Sequence, residues 1–497
     1  QYVANDNVDG IINALGAGVP TRFTTMNAKS DDGSLVVGVK QIYQGSWNPV
    51  AGLSDTYSNQ IWFTLFDPSL LGHPFSGKTF PVRTDWTVEN DGPMSLVNVP
   101  KDAIIWDTKS QSWLEVGSDT FATSKVTFDL KLGEWHHGQS MDMNDILYST
   151  YFLLEWGSEK GSNDKTYDSD YSPQAVQNAK TLVGIKIIDD DTIEVYTNYW
   201  HFDEGEIASW ASQWSAMPWE IMAAMEKAVS DGKTSFSRSE SISKNVNWLS
   251  LIIPNDAKLV QEQLVYFKSE QSIPKALSQF KDSINHQTRY QAAIDWIDKF
   301  GHAVISNGPF YLEGYSPDSR TITTKSFDSQ GYPFNAGKWK EFEYAEFPLI
   351  KSVDIEEYVQ SKIELNIPIK TKNADEIYYF ISNSKGEILL TDVLPVYDNT
   401  STIYLDAVNI EKLPIGINSL KIFAASNDVL RPDEYTTSFL VLEPELLPPK
   451  IQISDDFSNI ESNNYVVVSI IVISIIVISI TVILVLVRLG ILQKGRK

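Results

Sequence analysis

The amino-acid sequence predicts a mixed α/β domain, a C-terminal β-sandwich and one membrane-spanning helix. Strand-like and helix-like stretches are interspersed between residues 34 and 353, which is typical of α/β architecture. Between residues 354 and 445, roughly seven short strand-like runs are separated by Asn, Asp, Gly and Pro turns, which favours an immunoglobulin-like sandwich. An uncharged apolar run, Tyr465–Val487, predicts the membrane helix.

The composition limits the classes of function. With 42% hydrophobic residues, the 497-residue chain can bury large cores, so it is not a disordered chain. Its 64 acidic residues outnumber 40 basic ones, and the net charge of −24 repels phosphate backbones, so we expect no nucleic-acid partner. The chain has no cysteine, which excludes disulfides, thiolate metal sites and a cysteine nucleophile.

The first 33 residues carry no export signal. They are acidic, begin without Met and lack the basic and apolar regions of a secretory leader. Because the membrane helix implies an exported domain, we expect this sequence to be a processed form or a fragment of a longer chain. Residues 1–33 are then candidates for the tail of an upstream lobe.

Between residues 34 and 353 the periodicity predicts the elements in order. Ser34–Val39 is a short β-branched run and predicts a buried strand, whereas Lys125–Leu132 and Thr192–Asn198 alternate as half-buried strands do. Asp142 is suited to cap a helix that follows it, and Gly301 to end one. The predicted helices are Met143–Trp156, Pro218–Asp231, Ala257–Ser269 and Thr288–Phe300.

After the sandwich, residues 446–464 predict a polar linker and residues 488–497 a basic tail. A helix over Tyr465–Val487 is about 34 Å long, enough for a hydrocarbon core of about 30 Å. Basic residues follow it and acidic residues precede it, so the positive-inside rule places the C-terminus in the cytoplasm and the bulk of the chain outside the cell. Asn399, in Asn-Thr-Ser, is a candidate glycosylation site.

His136 and His137 are the most conspicuous candidates for a metal or catalytic site. Zinc needs three or four converging ligands, and the chain has six histidines with no pair at i, i+4 and no HExxH motif. Gly138 favours a tight turn that leads into the helix at Met143. We therefore expect a structural turn rather than a metal site, no catalytic residues, no cofactor and no enzymatic activity.

Three tryptophans, Trp210, Trp214 and Trp219, lie within ten residues around a predicted helix start. Tryptophan offers a large flat surface with an N–H donor, which suits stacking on sugars or covering peptide side chains. Burial in a core explains such a cluster equally well. The sequence leaves both interpretations open.

Several stretches resemble family 5 extracellular solute-binding proteins of ABC transporters. "FDLKLGEWHHG" is similar to that family's F-x-L-[KR]-x-G strand and [WF]-H-[DN]-G turn, although His137 stands where Asp is usual and Met143-Asn144 replace an Ala-based helix start. "IKIIDDDTIEVYT" and "ISNGPFYLEGY" are similar to two further family segments, in the same order. Matching positions are Phe128, Leu130, Lys131, Gly133, Trp135, His136, Gly138 and Asp145.

This resemblance covers residues 34–327. Within the family, the chain is most similar to archaeal members that carry a C-terminal membrane anchor. It implies a periplasmic-binding-protein-like lobe that captures peptides or similar oligomers for an ABC permease. A second lobe would lie upstream or on another chain. An oligosaccharide receptor and a structural surface-layer protein on the same scaffold stay as alternatives. The residues we expect in the cleft wall are Trp47, Asn48, Trp210, Trp214, Trp219 and Asn307.

Overall fold

The computed structural model describes residues 45–443 except residues 74, 159–163, 284, 320, 336–337, 339–344 and 362. The predicted strand Ser34–Val39, the linker 446–464, the membrane segment Tyr465–Val487 and the tail 488–497 lie outside the described residues. Within them, the structure confirms a mixture of helices and sheets of α/β character.

The N-terminal part of the described chain, to residue 326, contains helices α1 to α8 and strands β1 to β14, with a 3-10 helix at Lys275–Ser283. The helices are Thr56–Leu65, Met143–Trp156, Ser172–Thr181, Glu204–Ala211, Trp219–Ser230, Arg238–Lys244, Pro254–Ser269 and His286–Phe300. The strands are Leu70–Gly72, Thr79–Pro81, Thr84–Glu89, Val97–Asn98, Ile104–Asp107, Ser112–Glu115, Phe121–Ala122, Ser124–Leu130, Leu182–Ile187, Thr192–Thr197, Thr234–Ser235, Asn247–Trp248, Phe310–Ser316 and Thr321–Ser326.

A six-stranded antiparallel sheet forms the centre of this part, in the order β3-β8-β10-β9-β5-β6. In β8, alternate residues are buried, among them Val126 and Phe128, as the period of two in the sequence predicts. A small cavity is lined by Phe128 and Ile193 of the sheet, by Ile146 of α2 and by Trp214. Helix α2 and the segment after α4 therefore cover the same face of the sheet.

The predicted helix at residues 143–156 is confirmed at both ends. Asp142 caps it, because its carboxylate accepts a hydrogen bond from the Asn144 N–H, and Asp145 bonds back to the Asp142 N–H to complete a capping box. The last of the predicted helices, α8, ends at Gly301 in the left-handed conformation, as expected. Helix α7 begins three residues before the predicted start, because Pro254 occupies its first turn without losing a hydrogen bond.

Two sheets of the C-terminal part pack around one apolar core and form a β-sandwich. One sheet has the order β15-β17-β20 and the other β16-β22-β21-β18-β19. Its first strand begins at Leu349, five residues before the predicted boundary at 354. The strands β15 to β22 are Leu349–Val353, Tyr358–Gln360, Leu365–Lys372, Glu376–Asn383, Ile388–Pro395, Thr400–Leu405, Gly416–Ala425 and Asp433–Leu442, and helix α9 is Ala407–Glu411.

Across the part of the chain that the structure describes, none of the helices is long and apolar enough to cross a bilayer. The segment expected to do so, Tyr465–Val487, is not among those residues. The membrane anchor, its orientation and the cell-surface location therefore stay predictions. Asn399 lies exposed in the turn between β19 and β20, with a left-handed φ of 61°, and its glycosylation also stays a prediction.

The cap of α2 yields a stability prediction. We expect Asp142→Ala to lower the free energy of unfolding by about 1 kcal/mol, because the first turn of α2 loses its side-chain acceptor and Arg289 loses a partly exposed ion pair at 3.5 Å. Urea unfolding followed by tryptophan fluorescence measures this domain, since all 14 tryptophans precede residue 340. Asp85→Ala, which removes a surface ion pair with Lys131, is the matched control and should change stability less. Equal losses in both variants would contradict a capping role.

Candidate functional site

The histidine pair lies in a tight reverse turn. Gly138 has a φ of 84°, and its N–H donates to the Trp135 carbonyl at 2.8 Å, which closes the turn. The two imidazoles leave this turn toward different partners. His136 is hydrogen-bonded to the backbone at Ser306, whereas the His137 imidazole is hydrogen-bonded to Glu220 of α5.

His136 is a structural hydrogen-bonding residue. Its Nε2 lies 3.0 Å from the Gly308 carbonyl oxygen, and its Nδ1 lies 3.3 Å from the Ser306 N–H that donates to it. A neutral imidazole satisfies both partners, with its proton on Nε2. Burial lowers the pKa of His136 to about 3, against the smaller raising effect of the Gly308 carbonyl. Both ring nitrogens are thus engaged, and neither has a lone pair available to a metal ion.

His137 belongs to a buried ion cluster with Asp145, Glu220 and Arg289. The His137 Nε2 is 2.7 Å from Glu220 Oε1, and the Arg289 Nε donates to Glu220 Oε2 at 2.8 Å. Arg289 also donates to both oxygens of Asp145, at 2.6 and 3.2 Å. The side chains are at most 4% exposed, so water screens these charges very little.

The Asp145 carboxylate collects further donors from the turn and from α5. The Trp135 Nε1–H donates to it at 3.1 Å and the Trp219 backbone N–H at 2.9 Å. Burial raises the pKa of Asp145, while the guanidinium of Arg289 opposes that rise. For Glu220, Arg289 and His137 outweigh the cost of burial and lower the pKa. The cluster is therefore an ion pair that fixes the turn, α2, α5 and α8 in place.

Within the described part of the chain, no group of three or more His, Asp or Glu side chains has the geometry to hold a metal ion. The ion cluster has two carboxylates near His137, but Arg289 occupies the space between them. This arrangement is that of a structural ion pair.

A second buried cluster surrounds Asp67 and brings together two of the predicted site residues. The Trp214 Nε1–H donates to the Asp67 carbonyl at 2.9 Å, and the Asp67 N–H donates to the Asn307 side-chain oxygen at 2.9 Å. The Tyr332 hydroxyl donates to the Asp67 carboxylate at 2.9 Å. Asp67 thus joins three chain segments that are far apart in the sequence.

Arg83 carries the positive charge of this second cluster. Its Nε lies 3.8 Å from the Asp67 carboxylate, and the side chains of both residues are completely buried. The guanidinium carbon lies 5.7–5.8 Å from the ring centroids of Trp214, Tyr332 and Phe334, within the range of cation–π attraction. We call Asp67, Arg83, Trp214, Asn307, Tyr332 and Phe334 the arginine–aromatic cluster.

The other predicted wall residues are dispersed. Trp47 is fully buried and donates from Nε1 to Ser58, and Asn48 is fully buried and bonds the carbonyls of Phe236 and Leu249. Trp219 is fully buried beneath Arg289, whose guanidinium carbon is 5.3 Å from its ring centroid.

Trp210 is half-buried and stacks on Tyr199 with ring centroids 4.7 Å apart. In this conformation Trp47, Asn48, Trp219 and Asn307 pack inside the domain, and only Trp210 and Trp214 retain part of their surface. Their assignment to a ligand cleft stays a prediction.

The space next to Trp214 is small. A cavity of about 10 Å³ lies between Trp214, Phe128 and Ile146, which is room for no more than one water molecule. An oligomeric solute needs several hundred Å³. The cavity beside Trp214 is therefore too small to enclose such a solute.

Sequence reasoning missed Asp67, Arg83, Glu220 and Arg289. One signal for Arg289 was present, because it lies four residues before Ala293 and eight before Ile297, on the buried face of α8. A cation at such a position indicates a buried partner. The identity of that partner comes from long-range packing, since Asp145 is 144 residues away.

We expect Arg289→Ala to lower the free energy of unfolding by about 3–5 kcal/mol, because two carboxylates stay buried without their cation. Arg289→Lys should recover only part of the loss, since an ammonium cannot reproduce the fork to Asp145 and Glu220. Lys227→Ala, which breaks an exposed pair with Asp231, is the control and should cost about 0.5 kcal/mol or less. Similar losses in the Ala variants, by urea titration, would refute the ion cluster as a stabilising unit.

His136 should make the stability of the α/β domain depend on pH. Its pKa is about 3 in the folded protein and near 6.5 in the unfolded chain, so only the unfolded chain takes up a proton between these values. The contribution of His136 to the free energy of unfolding is present in full above pH 6.5. It falls by about 2 kcal/mol between pH 7 and pH 5. His136→Asn should flatten the curve relative to the wild type in urea unfolding at stepped pH. Parallel curves would show that His136 is not buried in its neutral form.

A scan against protein-family models found no match to the chain, and a search of curated proteins found none. The resemblance to family 5 solute-binding proteins therefore stays a prediction from the motifs.

Proposed function

We propose that this protein is an extracellular, membrane-anchored solute-binding receptor that captures peptides or similar oligomeric solutes for an ABC transporter. In this proposal, residues 34–353 form a periplasmic-binding-protein-like lobe and residues 354–445 an immunoglobulin-like spacer on the anchor Tyr465–Val487. The protein binds and delivers its ligand without chemical change. Closure of two lobes around the solute would report occupancy to the permease.

One observation supports this proposal most strongly. The three segments that carry the family resemblance contact one another in the folded chain. The Leu130 N–H of the first segment donates to the Asp191 carbonyl of the second at 2.7 Å. The His136 N–H of the first donates to the Ser306 carbonyl of the third at 2.9 Å. Segments that resemble one family in order thus also contact one another, and the histidine turn has the structural role that the resemblance implies.

The geometry also supports binding over catalysis. His136 and His137 use ring nitrogens in hydrogen bonds within the protein, and the carboxylates nearest to them are held by Arg289. A general acid or base must reach a substrate proton. These groups are directed inward, which favours a structural role for the cluster.

The partly exposed tryptophans are the parts of the predicted wall that can meet a solute without rearrangement. Trp214 lies over Asp67, to which its indole N–H donates, whereas Trp210 lies apart from it, stacked on Tyr199. A peptide held there would use main-chain hydrogen bonds and wet side-chain pockets. A second lobe, from an upstream portion or a separate chain, would supply the opposite wall.

The experiment is native mass spectrometry of gently purified protein, followed by calorimetric titration with the peptides that co-purify or with a broad peptide library. We expect Trp210→Ala and Trp214→Ala to weaken binding at least tenfold through lost stacking area. Trp200→Ala, a tryptophan of 38% exposure outside the predicted wall, is the matched control and should bind normally. No binding of any peptide, or equal affinity in all three variants, would reject the proposal.

The alternative of a structural cell-envelope protein is favoured by one observation. The cavity beside Trp214 measures about 10 Å³, and most predicted wall residues are packed inside the domain. Such a protein would assemble into an ordered surface array and would not co-purify with permease subunits. Electron microscopy of native envelopes, with an affinity pull-down of the permease, separates the two functions.

A further inference from the structure

The five-stranded sheet of the β-sandwich carries aromatic and other apolar side chains among the polar ones of its outer face, as well as on its inner face. Its inner face builds the core through residues such as Ile377 and Ile422. On its outer face Val393, Tyr378 and Phe423 lie side by side, because Tyr378 pairs with Val393 on one strand and with Phe423 on the other. A solvated sheet face ordinarily carries polar residues. The three neighbouring side chains of Val393, Tyr378 and Phe423 depart from that pattern.

A groove of about 330 Å³ runs over this outer face. Phe380 and Phe423 form its aromatic floor, with ring centroids 6.0 Å apart and planes at 85°. The hairpin between β18 and β19 forms a wall at Gly386 and Ile388. A volume of this size is at the lower end of small-ligand sites.

Besides its aromatic floor, the groove has hydroxyl groups and one lysine whose charge is balanced by a glutamate. Ser382, Ser419 and Thr436 line it. The Lys421 ammonium lies 4.8 Å from the Phe423 ring centroid and 2.8 Å from the Glu434 carboxylate. Because Glu434 balances Lys421, the groove is electrically neutral at its centre, within a chain of net charge −24.

We propose that this groove binds a neutral oligosaccharide. Sugar rings have an apolar C–H face that packs on aromatic side chains and a rim of hydroxyls that exchanges hydrogen bonds with Ser, Thr and Lys. An anionic glycan or an acidic peptide would meet no uncompensated cation there, and the acidic chain would repel it.

This site is separate from the solute site proposed above, and neither depends on the other. Its lining residues all lie between 380 and 436, whereas the tryptophans of the predicted cleft wall all precede residue 220. Loss of peptide binding in the Trp214 variant would leave the groove unchanged. Loss of sugar binding in a groove variant would leave the peptide site unchanged.

The test is calorimetric titration of the full chain with cellohexaose, maltohexaose and chitohexaose, with oligogalacturonate as the anionic comparison. We expect at least one neutral hexasaccharide to bind, and oligogalacturonate to bind at least tenfold more weakly. Phe423→Ser removes floor area and should weaken binding at least tenfold. Thr436→Arg fills the groove from an exposed position, so it tests the site even if the Phe423 variant unfolds.

Tyr404→Ala is the matched control, since Tyr404 is an aromatic residue of 52% exposure on the other sheet and should leave sugar binding unchanged. Absence of binding to all three neutral sugars would overturn the proposal. So would binding that survives Thr436→Arg. A concentration-dependent dimer that Thr436→Arg abolishes, with no sugar effect, would assign the face to a contact between copies instead.

Discussion

The guanidinium of Arg289 is the constraint on which the α/β domain depends. A buried cation is tolerated only where its charge is compensated, and here α2 and α5 each deliver one buried carboxylate, while the partly exposed Asp142 carboxylate lies 3.5 Å from the guanidinium. Two carboxylates exceed one cation, but Asp145 and Glu220 both lie in the first turn of their helices, where the helix dipole is positive. The excess negative charge is thus balanced by backbone as well as by Arg289, and the two helix starts must stay where they are.

The histidine turn is held between this cluster and the rest of the domain. His137 extends the cluster by its bond to Glu220, and Trp135 bonds Asp145, so the turn is fixed on one side. His136 fixes the other side through the backbone at Ser306 and Gly308. Adjacent residues therefore join two different layers, which gives each of the two imidazoles a structural hydrogen-bonding role in the turn.

The sequence allowed the local parts of this arrangement to be predicted, but not the long-range ones. The bounds of α2 and its Asp142 cap follow from short-range pattern, and the structure has them at the predicted residues. Arg289 could be placed on the buried face of α8, but its pairing with Asp145 needs the folded path of the chain. The burial of Trp219 and Trp47 was open for the same reason, because a large aromatic side chain suits a core and a cleft equally.

The two parts of the chain differ in what their polar groups are free to do. In the α/β domain, the polar atoms around Asp67, Asp145 and His136 bond to their own chain, so a solute of the kind proposed would meet the half-buried tryptophans rather than these atoms. In the β-sandwich, hydroxyls and aromatic rings face an open groove that is complete within one sheet. In the receptor that we propose, a mobile solute would be selected in a cleft assembled from two lobes, whereas a neutral glycan would need only the groove of the sandwich.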